Sequence, residues 1–181
     1  MKIPNLSNPI LFDLIFKLSG FYKIYERWLE SQISRDVLPN HVAIILDGNR
    51  RWAKYHFFGI DKAHNVGAEK AEELLNWIYD LEIKITTIYV LSNENLEREN
   101  EELTNIYALL SKKLAKLRDD NRIHKRKMKI KAIGNIELLP KNLQHILKIL
   151  EEETSTYNSM FLNIAVAYGG QQELVDAIKK I

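Results

Sequence analysis

The chain of 181 residues contains no cysteine, which excludes disulfides and thiolate metal sites and allows a cytoplasmic location without establishing it. It lacks any apolar run approaching the roughly 18 residues that a membrane-spanning helix needs, and its start lacks the layout of a signal peptide. There is no internal repeat and no low-complexity tract. Charge of one sign is also scarce. Lysine and arginine number 26 against 24 acids, and the net charge of +2 is too small to argue for a nucleic-acid partner. Two phosphate-binding signatures are missing as well. No G-x-x-x-x-G-K-S/T occurs, and only one glycine follows the first expected strand, so neither the Walker loop nor the dinucleotide fingerprint is present. What remains, 46% hydrophobic and 28% charged residues, is globular composition in a length that suits one domain with a sizeable core.

The first periodic stretch lies within residues 9–34. Ile10, Leu14, Leu18, Phe21, Tyr22, Tyr25, Trp28 and Leu29 recur at three- and four-residue spacing, framed by Pro9 and Pro39. Such an aromatic stripe suits packing on the body of the domain, or peripheral contact with a membrane surface. A division at 1–37 and 38–181 is expected. Further on, helices are expected over about 67–81, 101–120 and 140–157, and from about Gln171. Strands are expected over 42–46, 84–91, 128–133 and 161–167. Alternation of this kind predicts an α/β domain with a mostly parallel sheet covered by helices on both faces, preceded by an amphipathic helix. All four strands end in polar or glycine-containing turns: Asp47-Gly48, Ser92 to Arg98, Gly134-Asn135 and Tyr168-Gly169-Gly170. Ligands bind outside the carboxyl ends of such strands, so one rim of the sheet is the expected site.

The stretch His41 to Lys54, HVAIILDGNRRWAK, carries the most chemistry. Its apolar, β-branched run reads as a covered strand. At its end come an acid, a turn-forming glycine, Asn49 and two arginines at a helix start. Helix N-termini bind anions through backbone N–H groups, arginines add bidentate contacts, and an aspartate can hold a divalent metal on phosphates. The competing reading is a strand-to-helix turn with a solvated basic patch. Elsewhere, Asp119-Asp120 reads as helix-end charge and His124 to Lys127 as a solvated connection with no stacking platform. His64 is expected in a loop beside the first site.

HVAIILDGNRRWAK, then His64 with Gly67-Ala68, then LSNEN with Arg98, then FLNIAVAYGG with Glu173, resemble the cis-prenyltransferase family over about residues 38–181. DGNRRW followed by S-x-E-N-x-x-R is the diagnostic order, and DGNRR after an amphipathic helix is similar to archaeal and eukaryotic members. The resemblance implies condensation of isopentenyl diphosphate onto an allylic diphosphate, geranylgeranyl or farnesyl, with cis geometry. The product would be a long polyprenyl diphosphate for glycosyl carrier lipids.

By that similarity Asp47 would hold Mg²⁺ and assist departure of pyrophosphate. Gly48, Asn49, Arg50 and Arg51 would cradle the pyrophosphate, helped by His64, with Trp52 beside it. Ser92, Asn93, Glu94 and Asn95 would line the reacting end, with Asn95 as proton acceptor and Arg98 supporting the turn. A homodimer, or a heteromer with a homologous chain, is implied. The chain departs from the family pattern at Ala63, where a glycine is usual, at Ile60, where an arginine is usual, and at Leu96, where an aromatic is common. The family's R-x-G-E-x-R-x-S-like section, which holds isopentenyl diphosphate, is absent from these 181 residues. Little or no condensation is therefore expected from them alone, and a partner-dependent or non-catalytic polyprenyl-diphosphate-binding subunit is the alternative.

Overall fold

A computed structural model of the chain describes residues 21–33 and 37–180. These residues belong to two compact units that meet in sequence between Leu38 and Pro39. In the first, helix α1 (Phe21–Gln32) carries Ile24, Tyr25, Trp28 and Leu29 exposed. Ile10, Leu14 and Leu18 of the expected stripe lie outside the described residues. No helix among the described residues is long and apolar enough to cross a membrane.

The second unit runs β1 (His41–Ile45), α2 (Asn49–His56), α3 (Ile60–Asp80), β2 (Ile85–Tyr89), a 3-10 turn (Glu94–Glu97) and α4 (Asn100–Arg118). It continues with α5 (Asn121–Lys125), β3 (Met128–Ile133), a 3-10 turn (Ile136–Leu138), α6 (Lys141–Glu153), β4 (Met160–Ala165) and α7 (Gly170–Lys179). All strand pairs are parallel, in the order β1-β2-β4-β3. This is the α/β sheet expected from the alternation. Pairing places Ile88 beside Ile164, and Leu162 beside Thr86 and Ile130, so that one face is continuous. These residues are buried, and the core they start extends through Leu110, Leu114, Leu143 and Leu147 of the helices.

The opposite face is less covered. His41, Ala43 and Ile45 on β1, Phe161 on β4 and Lys131 on β3 are exposed. The expectation of a covered first strand is not met, since His41, Ala43 and Ile45 alternate as exposed residues along β1. Among the described residues β1 is an edge strand with a neighbour on one side only, and Ile45 is 71% exposed.

Helix α3 also starts seven residues earlier than expected. Gly67 reads as a helix start, but it lies within α3, where a side chain would meet the Asn49 amide: a Cβ there would stand 2.3 Å from Asn49 Oδ1. His64 therefore projects from a helix and not from a loop. The short α5 was not anticipated. Its first turn is capped by Asp120, which accepts the Arg122 amide at 2.9 Å, so the helix-end acid has a definite local task.

Candidate active site

The carboxyl ends of β1 and β2 release the chain into two neighbouring turns. After β1, Asp47 precedes Gly48, whose φ of 96° lies in the left-handed region that favours glycine, and α2 begins at Asn49. The Asp47 carboxylate accepts the Gly48 amide and the Arg51 guanidinium, the latter at 2.9 Å. Its side chain remains 73% exposed. After β2, Ser92 bridges to Tyr168, and Asn93 donates its amide to the Tyr168 carbonyl. Ser92 Oγ accepts the Asn95 amide at 3.2 Å. A Cβ on Gly169 would stand 2.8 Å from Asn93 Nδ2, so that glycine makes room for the Asn93 side chain.

These turns frame the mouth of a cavity of about 510 Å³. Asp47, Gly48, Asn49, Arg50, Arg51, His64, Asn95 and Arg98 all line it. Eight residues singled out from the sequence thus converge on one opening. Trp52, Ser92, Asn93 and Glu94 are not among the lining residues. Trp52 instead stacks on Phe58 and His56, with ring centroids 5.6 and 4.6 Å away.

Behind the mouth the walls are apolar: Ile88, Leu162 and Ile164 of the sheet, Ala71 and Leu75 of α3, and Ile106, Leu110 and Leu114 of α4. The far end is polar. Glu72 accepts from Lys113 and Lys116 at 2.8 and 2.7 Å, tying α3 to α4. Arg122 pairs with Asp120 at 2.7 Å, donates to Asn76 at 2.6 Å and lies over the Tyr79 ring. Burial pushes the Tyr79 phenol up to about 12, so it stays neutral.

One residue that ties three lining residues together was not singled out from the sequence. Glu102, in the first turn of α4, has a side chain only 9% exposed and collects two arginines and a histidine from three elements. Arg50 reaches it with Nε at 3.2 Å and a second, closer guanidinium contact, His64 Nε2 lies at 3.1 Å, and Arg98 donates at 2.8 Å. The bond from Arg50, followed by those of His64 and the Arg98 charge, holds the carboxyl down at about 2 against the cost of desolvation. The available signal was its position four residues after Arg98 at a helix start, which is ion-pair spacing.

The arrangement can receive an anion with an apolar tail. Asn49, Arg50 and Arg51 at the start of α2 line the cavity, where a helix N-terminus and two arginines suit an anion, and the cavity behind offers hydrocarbon-like walls. Among the described residues there is no cluster of three or more His, Cys, Asp or Glu suited to a metal. Magnesium commonly takes one or two carboxylates together with substrate phosphates and water. Exposed Asp47 beside an anion cradle fits that donor set, and a cage made by protein alone does not.

Comparison with known proteins agrees with this geometry. The family model Prenyltransf, for undecaprenyl diphosphate synthases, matches residues 45–181. The chain is 47% identical over 184 residues to a tritrans,polycis-undecaprenyl-diphosphate synthase (geranylgeranyl-diphosphate specific) of Methanocaldococcus jannaschii, covering 99% of this chain and 65% of that protein. A relative of the same description in Archaeoglobus fulgidus is 43% identical, over 89% of this chain and 64% of the relative. The crystal structure of lavandulyl diphosphate synthase from Lavandula x intermedia, in complex with dimethylallyl diphosphate, superposes with a TM-score of 0.72 at 30% identity. That match covers 80% of this chain and 61% of the plant protein. The chain thus spans slightly less than two thirds of the length of these relatives. A sheet rim that pairs an acid and two arginines with an apolar cavity, together with a family match over three quarters of the sequence, leads to one conclusion: the chain belongs to the cis-prenyltransferase family of undecaprenyl diphosphate synthases.

Proposed function

We propose that the chain binds an allylic diphosphate, geranylgeranyl diphosphate by analogy with its relatives, and extends it in cis with isopentenyl diphosphate units to a polyprenyl diphosphate. The observation that carries this reading is the cationic mouth on an apolar cavity. The cavity walls run along α3 from His64 to Tyr79, about 22 Å at 1.5 Å per residue. A geranylgeranyl tail is about 20 Å long when extended, from C–C bonds of about 1.5 Å. The apolar part of that wall, from Gly67 to Leu75, supports a tail laid between the sheet and α3 with its diphosphate at the mouth.

The residues then divide the work. The amides at the start of α2 and the side chains of Asn49, Arg50 and Arg51 receive the diphosphate, and His64 lies within reach of the same anion. Asp47 would hold Mg²⁺ against it, with Arg51 turning from Asp47 towards the phosphate. The metal, when bound, supplies neutralisation of charge on the departing pyrophosphate. Cleavage of the allylic C–O bond leaves negative charge on the leaving group, and fixed donors at the mouth stabilise that charge without reorganising. Asn95 stands at the reacting end as the candidate proton acceptor, and the Ser92–Tyr168 bridge together with Ser92 Oγ holds its turn in place. Ser92, Asn93, Glu94 and Arg98 support that turn, and Trp52 braces α2 from outside. Isopentenyl diphosphate and a homologous second chain are the proposed partners.

Calorimetric titration with geranylgeranyl diphosphate, pyrophosphate and geranylgeraniol tests the reading. The diphosphate is expected to bind at least roughly tenfold more tightly than either half alone, because only it occupies both mouth and cavity. Equal affinity for pyrophosphate and geranylgeranyl diphosphate would remove the tail from the account.

A further inference from the structure

Helix α2 starts at the mouth with Asn49 and ends at Phe57, whose backbone takes the left-handed conformation, φ 56° and ψ 35°. That position closes the helix through the Phe57 and Phe58 amides, both donating to the Ala53 carbonyl. Glycine is the usual residue there, and a bulky side chain is strained. Phe57 is nevertheless 95% exposed, and Tyr55 beside it 80%. Strain and apolar exposure are two separate costs at one residue, and among the described residues little packs over the Phe57 ring.

The base beneath these tips is braced. Trp52, His56 and Phe58 stack on one another, and Lys62 Nζ lies 3.5 Å above the Phe58 ring. Lys54, Lys62 and Arg51 stand exposed around the patch. Of the nearby acids, Asp47 is paired with Arg51, and Asp61 accepts from Asn105.

We propose that the Tyr55–Ile60 turn docks the protein on an anionic lipid surface, with Phe57 and Tyr55 inserted among the headgroups and Lys54 and Lys62 against their charge. Aromatic rings flanked by basic residues suit the lipid–water interface. A second copy suits it poorly, because a self-complementary contact would bring like charges together. The placement rests on the proposed function. A ligand with a prenyl tail resides in lipid, and the turn sits one short helix, about 12 Å, from the mouth that would receive it.

Sedimentation with vesicles of phosphatidylcholine, with and without phosphatidylglycerol, tests the proposal. The whole chain is compared with Phe57→Gly and with Lys54→Gln/Lys62→Gln. Phe57→Gly relieves the strained cap, so it is expected to melt higher than wild type while binding vesicles roughly tenfold more weakly. The lysine variant is expected to lose the preference for anionic vesicles and the salt dependence of binding. Wild type that stays in the supernatant overturns the proposal, as does Phe57→Gly that sediments unchanged. A change in molecular mass on Phe57→Gly without vesicles assigns the patch to a protein contact and overturns it too. Binding of geranylgeranyl diphosphate in detergent should survive in Phe57→Gly, and its absence from wild type would count against the catalytic reading alone.

Discussion

Replacing Glu102 by glutamine removes one negative charge and leaves Arg50, His64 and Arg98 converging on a neutral amide. The folded carboxyl lies near 2, against an ordinary value of 4.5. At about 1.4 kcal/mol per unit the full shift corresponds to roughly 3 kcal/mol, and solvent at the open mouth reduces that to about 1–2 kcal/mol. The folded value is the lower one, so this stabilisation is complete above about 4.5 and is lost as the pH falls towards 2.

Glu102→Gln is therefore expected to lower the melting temperature at pH 7 by about 2–8 °C for a chain of this size. It should also flatten the loss of stability between pH 4.5 and pH 2. Binding should move the other way. With the carboxylate gone, Arg50 and Arg98 lose their counterion, and pyrophosphate should raise the melting temperature of the variant more than that of wild type. Scanning calorimetry across pH, with and without pyrophosphate, reads all three effects. A variant that melts within 1 °C of wild type at pH 7 and keeps the same acid slope would refute the role given to Glu102.

Other substitutions separate the parts of the site. Gly67→Ala suits helix propensity but displaces the Asn49 side chain, so stability should hold while pyrophosphate affinity, read by calorimetry, falls roughly tenfold. Gly134→Ala sets a Cβ 2.1 Å from the Val166 carbonyl at a φ of 118°, and urea unfolding should show a loss of about 2–4 kcal/mol. Ala71→Phe fills the cavity wall, so competition binding should show geranylgeranyl diphosphate weakened and pyrophosphate unchanged.

The parallel sheet and its site rim were legible because strand runs end abruptly in polar turns. The run Val42–Leu46 meets Asp47, and Lys84–Leu91 meets Ser92. The edge position of β1 was not legible, since an apolar run has the same composition whether one neighbour or two flank it. Gly67 misled in a physical way: it reads as a break in isolation, yet its missing side chain is a contact surface for Asn49, 18 residues earlier. Glu102 was hidden because its partners Arg50 and His64 lie 52 and 38 residues away, and only Arg98 is a local neighbour.

The measurement that bears most directly on the central claim is titration of geranylgeranyl diphosphate, with and without Mg²⁺, into wild type and Asp47→Ala. Binding by wild type should strengthen with Mg²⁺, and binding by the variant should be weak and indifferent to it, with the same circular dichroism spectrum. Equal, Mg²⁺-dependent affinity in both proteins would take Asp47 out of the site and contradict the account.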